Sequence, residues 1–164
     1  MDFVNQHFGE AGFRFNLVSI DYVPNDRFSL GYDEEGLRHS LHKGDYSDVN
    51  LYFVAHLGGA GGVAAFPVQR LTQGDLLHDG AIIVADTVPG SRLRAMRSPP
   101  NPTIVTHEIG HLMGLLHTFQ GGCGDPGDGI QDTASQQGPS RICAPTYSCG
   151  SPDPVDNFMD YAPP

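Results

Sequence analysis

The sequence predicts one α+β domain, with an α/β-like first part and an irregular second part. Helix and strand signals alternate over residues 1–120, whereas residues 121–164 are rich in Gly, Pro and Asp and poor in long apolar side chains. Two continuous apolar runs, residues 50–55 and 81–85, suit strands that are buried on both faces. The length of 164 residues is sufficient for a single hydrophobic core.

The elements of the first half follow from local patterns. Residues before Phe13 predict the tail of a helix that ends near Gly12, and residues 33–43 predict another short helix. Residues 13–20 begin with the alternation of apolar and polar side chains that is typical of a half-buried strand. Residues 59–64 fit the loosest dinucleotide-binding pattern, but Pro67 follows too soon for the helix which that pattern needs. We therefore interpret residues 59–64 as a loop or an edge strand beside a cleft.

The clearest helix is predicted over residues 102–114. Asn101 is a good N-cap, and Pro102 suits the first helical position because proline has no N–H to leave unsatisfied there. Gly114 can adopt the left-handed conformation that ends a helix. This helix carries the residues with recognisable chemistry.

Three histidines in and after this helix predict a zinc site. His107 and His111 are four residues apart, so both imidazoles lie on one face of the helix and can reach one ion. Gly114 permits a change of direction, and His117 can then return as a third ligand. Three neutral imidazoles leave an open position for water, whose pKa Zn²⁺ lowers toward about 7. Glu108, about 100° around the helix from His107, can accept the proton of that water without binding the ion.

The composition excludes several classes of protein. With 19 acidic and 9 basic side chains the formal net charge is −10, which disfavours binding to nucleic acids or anionic membranes. No apolar run approaches the roughly 18 residues that a membrane span needs. We therefore expect protein or peptide partners, no nucleic acid and no membrane. The first residues carry no secretory signal, so an intracellular chain and a piece cut from a secreted precursor both remain open.

Two features of the last quarter allow alternative interpretations. Its three cysteines permit one disulfide with one thiol left over, or three reduced thiols in an intracellular hydrolase. The loop after the predicted helix offers oxygen ligands of the kind that calcium prefers, although it lacks the EF-hand pattern. The alternative is a solvated loop whose carboxylates accept hydrogen bonds from turn N–H groups. The candidate calcium ligands are Asp125, Asp128, Asp132 and Thr133.

Two segments carry a resemblance to a known clan. Residues 107–117 resemble the zinc signature of the metzincin metalloproteases, and residues 157–161 resemble their Met-turn. Within the clan, residues 115–123 and 128–133 resemble the pappalysin family, especially its fungal secreted extracellular metalloproteases. Residues 41–46, 66–67 and 88–90 also resemble short sequence segments of that family, so the likeness covers nearly the whole chain.

The resemblance implies a fold and a division of the chain. The expected fold is a metzincin-type zincin, with a twisted mixed sheet whose edge strand lies over the active-site helix, and an irregular C-terminal subdomain with the Met-turn. Residues 1–164 would form a single catalytic domain, with an N-terminal subdomain over 1–117 and a C-terminal subdomain over 118–164. Against the family pattern we expect the chain to be shortened at both ends, beginning inside the first long helix and stopping after the Met-turn.

The resemblance also implies roles for individual residues. It makes His107, His111 and His117 the zinc ligands and Glu108 the catalytic acid and base. Met159 would form an apolar floor beneath the metal, for which the alternative is a plain core methionine. Tyr161 would bring a phenol to the metal or the oxyanion, for which the alternative is a packed or surface tyrosine. The family carries calcium sites near the acidic loop. It also implies two disulfides near the active site, of which one joins Cys123 to Cys149 and the other would pair Cys143 with a cysteine just beyond Tyr161, a partner that this sequence does not contain.

The function that these features predict is a secreted, monomeric zinc endopeptidase that cleaves extended protein substrates. The alternative is a catalytically silent zinc-binding fragment or interaction module. Both could bind zinc, so only an activity measurement separates them.

Overall fold

The computed structural model describes residues 1–70, 72–88, 101–124 and 126–163. The helices are α1 (Asp2–Gly9), α2 (Asp26–Ser29), α3 (Glu34–Leu41), α4 (Gln73–Leu76) and α5 (Thr103–Leu112), with a 3-10 turn at Ala85–Thr87. The strands are β1 (Leu51–Val54), β2 (Gly62–Ala64), β3 (Ala81–Val84), β4 (Tyr147–Ser148) and β5 (Ser151–Pro152). The fold is α+β, as predicted.

A three-stranded mixed sheet organises the first half of the chain, in the order β1-β3-β2. β1 and β3 run parallel, with Leu51 opposite Ala81, and β2 runs antiparallel to β3, with Val63 opposite Ile82. β1 and β3 are the two apolar runs of the sequence, and every residue of β3 is at most 2% exposed. The prediction of inner strands at these runs is confirmed for β3. β1 instead alternates between buried and more exposed positions.

Helices cover both faces of this sheet. On one face, α3 packs through Leu37 onto Tyr52, Val54 and Ile82. On the other face, α1 and α5 pack around Ala81 and Ile83 through Val4, Val105 and Ile109. This second face carries α5 beneath β2 and β3, which places the histidine-bearing helix at the sheet's edge.

The helices predicted before Gly12 and over residues 33–43 are confirmed as α1 and α3. Asp33 begins α3 by accepting a 3.0 Å hydrogen bond from the N–H of Gly36. The short helices α2 and α4 were not predicted, although both have clear caps. Asn25 accepts the N–H groups of Arg27 and Phe28, and Thr72 forms a capping box with Asp75.

The strand predicted over residues 13–20 is wrong. This segment is extended but mostly exposed, with Val18 at 86%, and residues 14–22 make no backbone–backbone hydrogen bond to the described parts of the chain. The Asn5 side chain anchors it by bonding both the N–H and the carbonyl of Phe15, and the Phe15 ring packs edge-on against Phe8. Alternation makes a strand only where a neighbouring strand supplies hydrogen-bond partners, and no strand of the described residues pairs with this segment.

The region after α5 has little regular structure. β4 and β5 form a small hairpin whose turn has positive φ at Cys149 and Gly150. A disulfide joins Cys123 to Cys149, which confirms this pairing implied by the family resemblance. Cys143 is free and exposed. Within the described residues, no helix has the length and apolar character needed to cross a membrane.

Candidate metal centre

Helix α5 is slightly shorter than predicted, but its end has the expected geometry. The first helical residue is Thr103 rather than Pro102, and the Asn101 side chain still accepts a 3.1 Å hydrogen bond from the Thr103 N–H. Gly114 has a φ of +93°, in the left-handed region predicted for it. The chain therefore reverses after the helix and carries His117 back toward His107 and His111.

The three imidazoles converge through their Nε2 atoms. His111 Nε2 lies 3.0 Å from His107 Nε2 and 3.1 Å from His117 Nε2. Tetrahedral coordination at ordinary zinc–nitrogen distances places ligand nitrogens about 3.3 Å apart, so the cluster is close to the size that the ion requires. Elsewhere in the described ranges, no other group of three His, Cys, Asp or Glu side chains gathers in this way.

Main-chain carbonyls orient two of the three rings. His107 Nδ1–H donates to the Phe158 carbonyl at 2.7 Å, and His111 Nδ1–H donates to the Leu115 carbonyl at 2.7 Å. With the proton held on Nδ1, each Nε2 keeps a free lone pair that faces the centre of the cluster. This is the usual arrangement of histidines that bind a metal.

Burial keeps the three rings neutral at neutral pH. It lowers the pKa of His107 and of His111 below the ordinary histidine value. It also lowers the pKa of His117 to about 4, helped by the two neighbouring imidazoles. Because only a neutral imidazole can bind a metal ion, the cluster is ready for one without first losing protons.

Glu108 lies beside the cluster in a tight space under β2. It is 4% exposed, and its Oε2 is buried without a hydrogen-bond partner among the described residues. Burial raises the pKa of its carboxyl to about 7. A Cβ on Gly62 would lie 2.5 Å from Glu108 Oε1, so only glycine leaves room for the carboxyl here. A carboxyl in this environment is suited to exchange a proton near neutral pH.

Met159 lies against helix α5 at Gly110, between His107 and His111 in sequence. It is buried, and a Cβ on Gly110 would lie 2.6 Å from its sulfur. The turn that contains Met159 is closed by a 3.0 Å hydrogen bond from the Asp160 N–H to the Asn157 carbonyl. Within this turn, Asn157 Oδ1 accepts a hydrogen bond from the Met159 N–H. This position suits the packing role expected for Met159 beneath the metal.

Tyr161 borders the cluster on its open side. Its ring centroid lies 4.9 Å from that of His117 and 5.0 Å from that of Phe119, and the residue is 46% exposed. Burial of the hydroxyl and the nearby charge of Glu108 raise the pKa of Tyr161. The phenol therefore stays protonated and able to donate a hydrogen bond throughout the neutral range.

The described residues among those suggested for calcium do not form a ligand cluster. Asp128, Asp132 and Thr133 line one cavity of about 520 Å³, and Asp128 Oδ1 accepts the N–H of Ile130. Asp125 lies outside the described residues. Since these carboxylates do not converge with a third metal-binding side chain among the residues described, the calcium site is not supported.

Several contributors to this site were missed from the sequence. The Phe158 and Leu115 carbonyls are main-chain atoms, which every residue has, so no side-chain pattern marks them. Gly62 and Gly110 could have been noticed. Glycine inside a helix costs about 1 kcal/mol relative to alanine, and the presence of Gly110 between His107 and His111 suggests that something packs closely there.

Comparisons with known proteins agree with this geometry. Residues 44–164 match the model of the peptidase M43 family, which is described as pregnancy-associated plasma protein-A. An extracellular metalloprotease of Colletotrichum graminicola is 40% identical over 97% of this chain, and one of Neurospora crassa is 38% identical over 97%. The chain spans 58% and 56% of the lengths of these two relatives.

Solved structures give the same result for the fold. Mature mirolysin from Tannerella forsythia, in complex with a cleaved peptide, has a TM-score of 0.63 and 25% identity, over 83% of this chain and 54% of mirolysin. Mirolysin in complex with a small compound has a TM-score of 0.58 and 29% identity, over 70% of this chain and 44% of that one. The metzincin-type fold class and the resemblance to pappalysins are thereby confirmed, and the chain belongs to the peptidase M43 family of pappalysin-like metalloproteases.

Proposed function

We propose that this chain carries the catalytic site of a zinc endopeptidase that cleaves peptide bonds in extended protein substrates. The observation that carries the proposal is the convergence of His107, His111 and His117 through their Nε2 atoms, with the Glu108 carboxyl buried beside them. These residues would hold the ion by the three imidazoles and keep Glu108 free of it.

When bound, zinc supplies a more acidic water and polarises the scissile carbonyl. Glu108 accepts a proton from the attacking water, for which its raised pKa and dry surroundings suit it. It then gives that proton to the leaving amine as the carbon–nitrogen bond breaks. The Tyr161 hydroxyl lies on the open side of the cluster, where it can donate a hydrogen bond to the developing oxyanion.

β2 is an edge strand of the sheet formed by the described residues, and its outer side supplies a place for the substrate chain. The N–H of Val84 bonds the carbonyl of Gly61, and that of Ala65 bonds the carbonyl of Gly80, so Gly61, Val63 and Ala65 face β3. Gly62 and Ala64 therefore direct their N–H and carbonyl groups away from the sheet. An extended peptide that pairs with these groups would run directly above Glu108.

Secretion is the proposed location. The two fungal relatives above are named extracellular, and the Cys123–Cys149 disulfide is typical of proteins from oxidising compartments. Thiol counting on denatured protein from its natural source should then find one free thiol, on Cys143. Three free thiols would instead favour an intracellular hydrolase.

The test is cleavage of casein or a quenched peptide by the purified chain with one equivalent of Zn²⁺, with and without o-phenanthroline. We expect cleavage that the chelator abolishes. Glu108→Gln should keep its zinc and lose kcat by about 100-fold or more, because the general base is gone. The matched control is Glu35→Gln, the same change at an exposed position of α3, and it should leave both properties unchanged.

The other outcomes are equally informative. Full activity in Glu108→Gln would contradict its role, and zinc loss in that variant would make Glu108 a ligand instead of a base. Tight zinc binding by a cooperatively folded chain without cleavage would favour the alternative of a catalytically silent zinc-binding module.

A further inference from the structure

His7 lies outside the zinc motif, on helix α1, yet it contacts both segments that hold the first histidine of the cluster. Its Nδ1 shares a 2.8 Å hydrogen bond with Thr106 Oγ1, and Thr106 directly precedes His107. Its ring lies against the Phe158 ring, with centroids 4.4 Å apart. The match to the family model begins at residue 44, so it assigns no role to His7.

The Phe158 contact connects His7 to the orientation of His107. The carbonyl of Phe158 accepts the 2.7 Å hydrogen bond from His107 Nδ1–H, and Phe158 directly precedes Met159. Phe158 is 39% exposed, so most of its surface is covered by the protein. A side chain that packs against this ring limits how far the carbonyl can move from His107.

The surroundings of His7 make it a rigid connection. Phe3 packs edge-on against the same imidazole, with centroids 4.2 Å apart, and Val4 of α1 is buried among the core residues of α5. Thr106 is 4% exposed, so its hydroxyl bonds His7 in an environment where little water competes. One side chain thus connects α1, α5 and the Met-turn.

We infer that His7 is a positioning residue for the metal centre, which acts through Thr106 and Phe158 to hold the His107 ring in its metal-binding orientation. The inference rests on the proposed zinc site but does not depend on peptide cleavage. Partners that orient a metal-binding histidine change metal affinity by about 10- to 100-fold when they are removed. His7 acts one contact further away, so we expect the lower end of that range.

The experiment measures metal binding by the full-length chain. Zinc affinity is measured by competition with a chromogenic chelator, and the d–d absorption of the Co²⁺-loaded protein reports the ligand geometry. His7→Ala should bind zinc about 10-fold more weakly and change the Co²⁺ spectrum. His7→Asn, which keeps a polar atom near the position of Nδ1, and His7→Phe, which keeps the ring contact, should each recover part of the affinity.

The matched control is His39→Ala, which removes an exposed histidine from α3 and should leave affinity and spectrum unchanged. A lower melting temperature of His7→Ala with wild-type affinity and spectrum would mean a merely structural role and overturn the inference. If His7→Ala does not fold, Thr106→Val decides, because it removes the hydroxyl with little change of shape. Thr106→Val should then weaken zinc binding, and wild-type binding by it would overturn the inference.

The result separates this inference from the proposed function. Zinc-dependent cleavage with unchanged metal binding in His7→Ala would overturn only the role of His7. A wild-type chain that binds no zinc would overturn both, since there would be no metal-binding orientation to maintain.

Discussion

Three polar groups lie buried on the side of the sheet opposite to the histidines, and none has a hydrogen-bond partner among the described residues. They are Arg38 Nε, His42 Nε2 and the Tyr52 hydroxyl. Asp79 lies 4.0 Å from His42 Nε2. Burial raises the pKa of Tyr52 to about 12, which means that the folded chain strongly prefers the neutral phenol. This preference makes the stability of the fold sensitive to high pH.

Tyr52 should therefore contribute to alkaline unfolding. An unfolded tyrosine ionises near pH 10, so the contribution is complete below about pH 10 and is lost as the pH rises toward about 12. At about pH 11 this loss amounts to about 1 kcal/mol. Tyr52→Phe should remove it, and at neutral pH the variant should be at least as stable as wild type, because an unpaired hydroxyl leaves the core. Urea unfolding at about pH 8 and about pH 11 measures both effects.

Tyr22→Phe is the control for this comparison, since it removes the same hydroxyl from a tyrosine that is 90% exposed. An equal loss of stability at high pH in Tyr52→Phe and wild type would contradict the assignment.

The three histidines that could hold a metal ion were accessible from the sequence because their fixed spacing is a recognisable pattern. The orientation of the three imidazole rings could not be predicted from the sequence. It depends on the Phe158 and Leu115 carbonyls and on His7, which is 100 residues from His107 in sequence. Local patterns predict which side chains share a helix face, whereas contacts between distant segments depend on the tertiary fold.

At the scale of elements, α5 combines chemistry and packing on one short helix. Ile109 and Val105 face the sheet core, while Gly110 faces the Met-turn. Gly110 allows the Met159 side chain to approach the helix backbone beneath the histidines. An added methyl group there would force Met159 away or strain the helix.

Gly110→Ala should therefore destabilise the chain, although alanine is the better helix former. Overpacking costs about 1 to 3 kcal/mol and the helix preference returns about 1 kcal/mol, so we expect a net loss of about 1 kcal/mol. Gly9→Ala is the matched control, because Gly9 is in α1 with open space around its Cβ position. It should be neutral or raise the melting temperature. Melting curves of the apo-proteins decide, and a stabilised Gly110→Ala would show that Met159 does not restrict this position.

The individual helices and strands also show what sequence patterns can predict. The central strand β3 is apolar at every position, and the helices α1 and α3 have clear stop and cap signals. Residues 13–20 show strand-like alternation but pair with no strand in the described part of the chain, and most of their side chains stay exposed. An alternating pattern reports the preference of a segment, and pairing with another segment decides whether a strand forms.

At the scale of the whole molecule, the two halves of the chain are stabilised differently. The first half has a sheet with helices on both faces. The only regular structure in the described residues after α5 is a hairpin whose two strands have two residues each. A buried polar network compensates in part. Gln136 accepts a 2.6 Å hydrogen bond from the Thr118 hydroxyl and donates to Ser140 Oγ and to Asp160 Oδ1. This network connects the residue after His117 to the residue after Met159.

The disulfide should supply much of the remaining stability of this half. Cys123 and Cys149 close a loop with a sequence separation of 26 residues, and a crosslink of this span is expected to contribute about 3 kcal/mol by restricting the unfolded chain. In urea unfolding at neutral pH, the free energy of unfolding of the double variant Cys123→Ser with Cys149→Ser should be lower than that of wild type by about this amount. Wild type under reducing conditions should show the same loss. Cys143→Ser, which changes the free exposed cysteine, should unfold as wild type does. The loop closed by the disulfide begins six residues after His117, so we also expect the double variant to bind zinc more weakly. Wild-type zinc affinity in a destabilised double variant would show that α5 and the Met-turn alone support the metal centre.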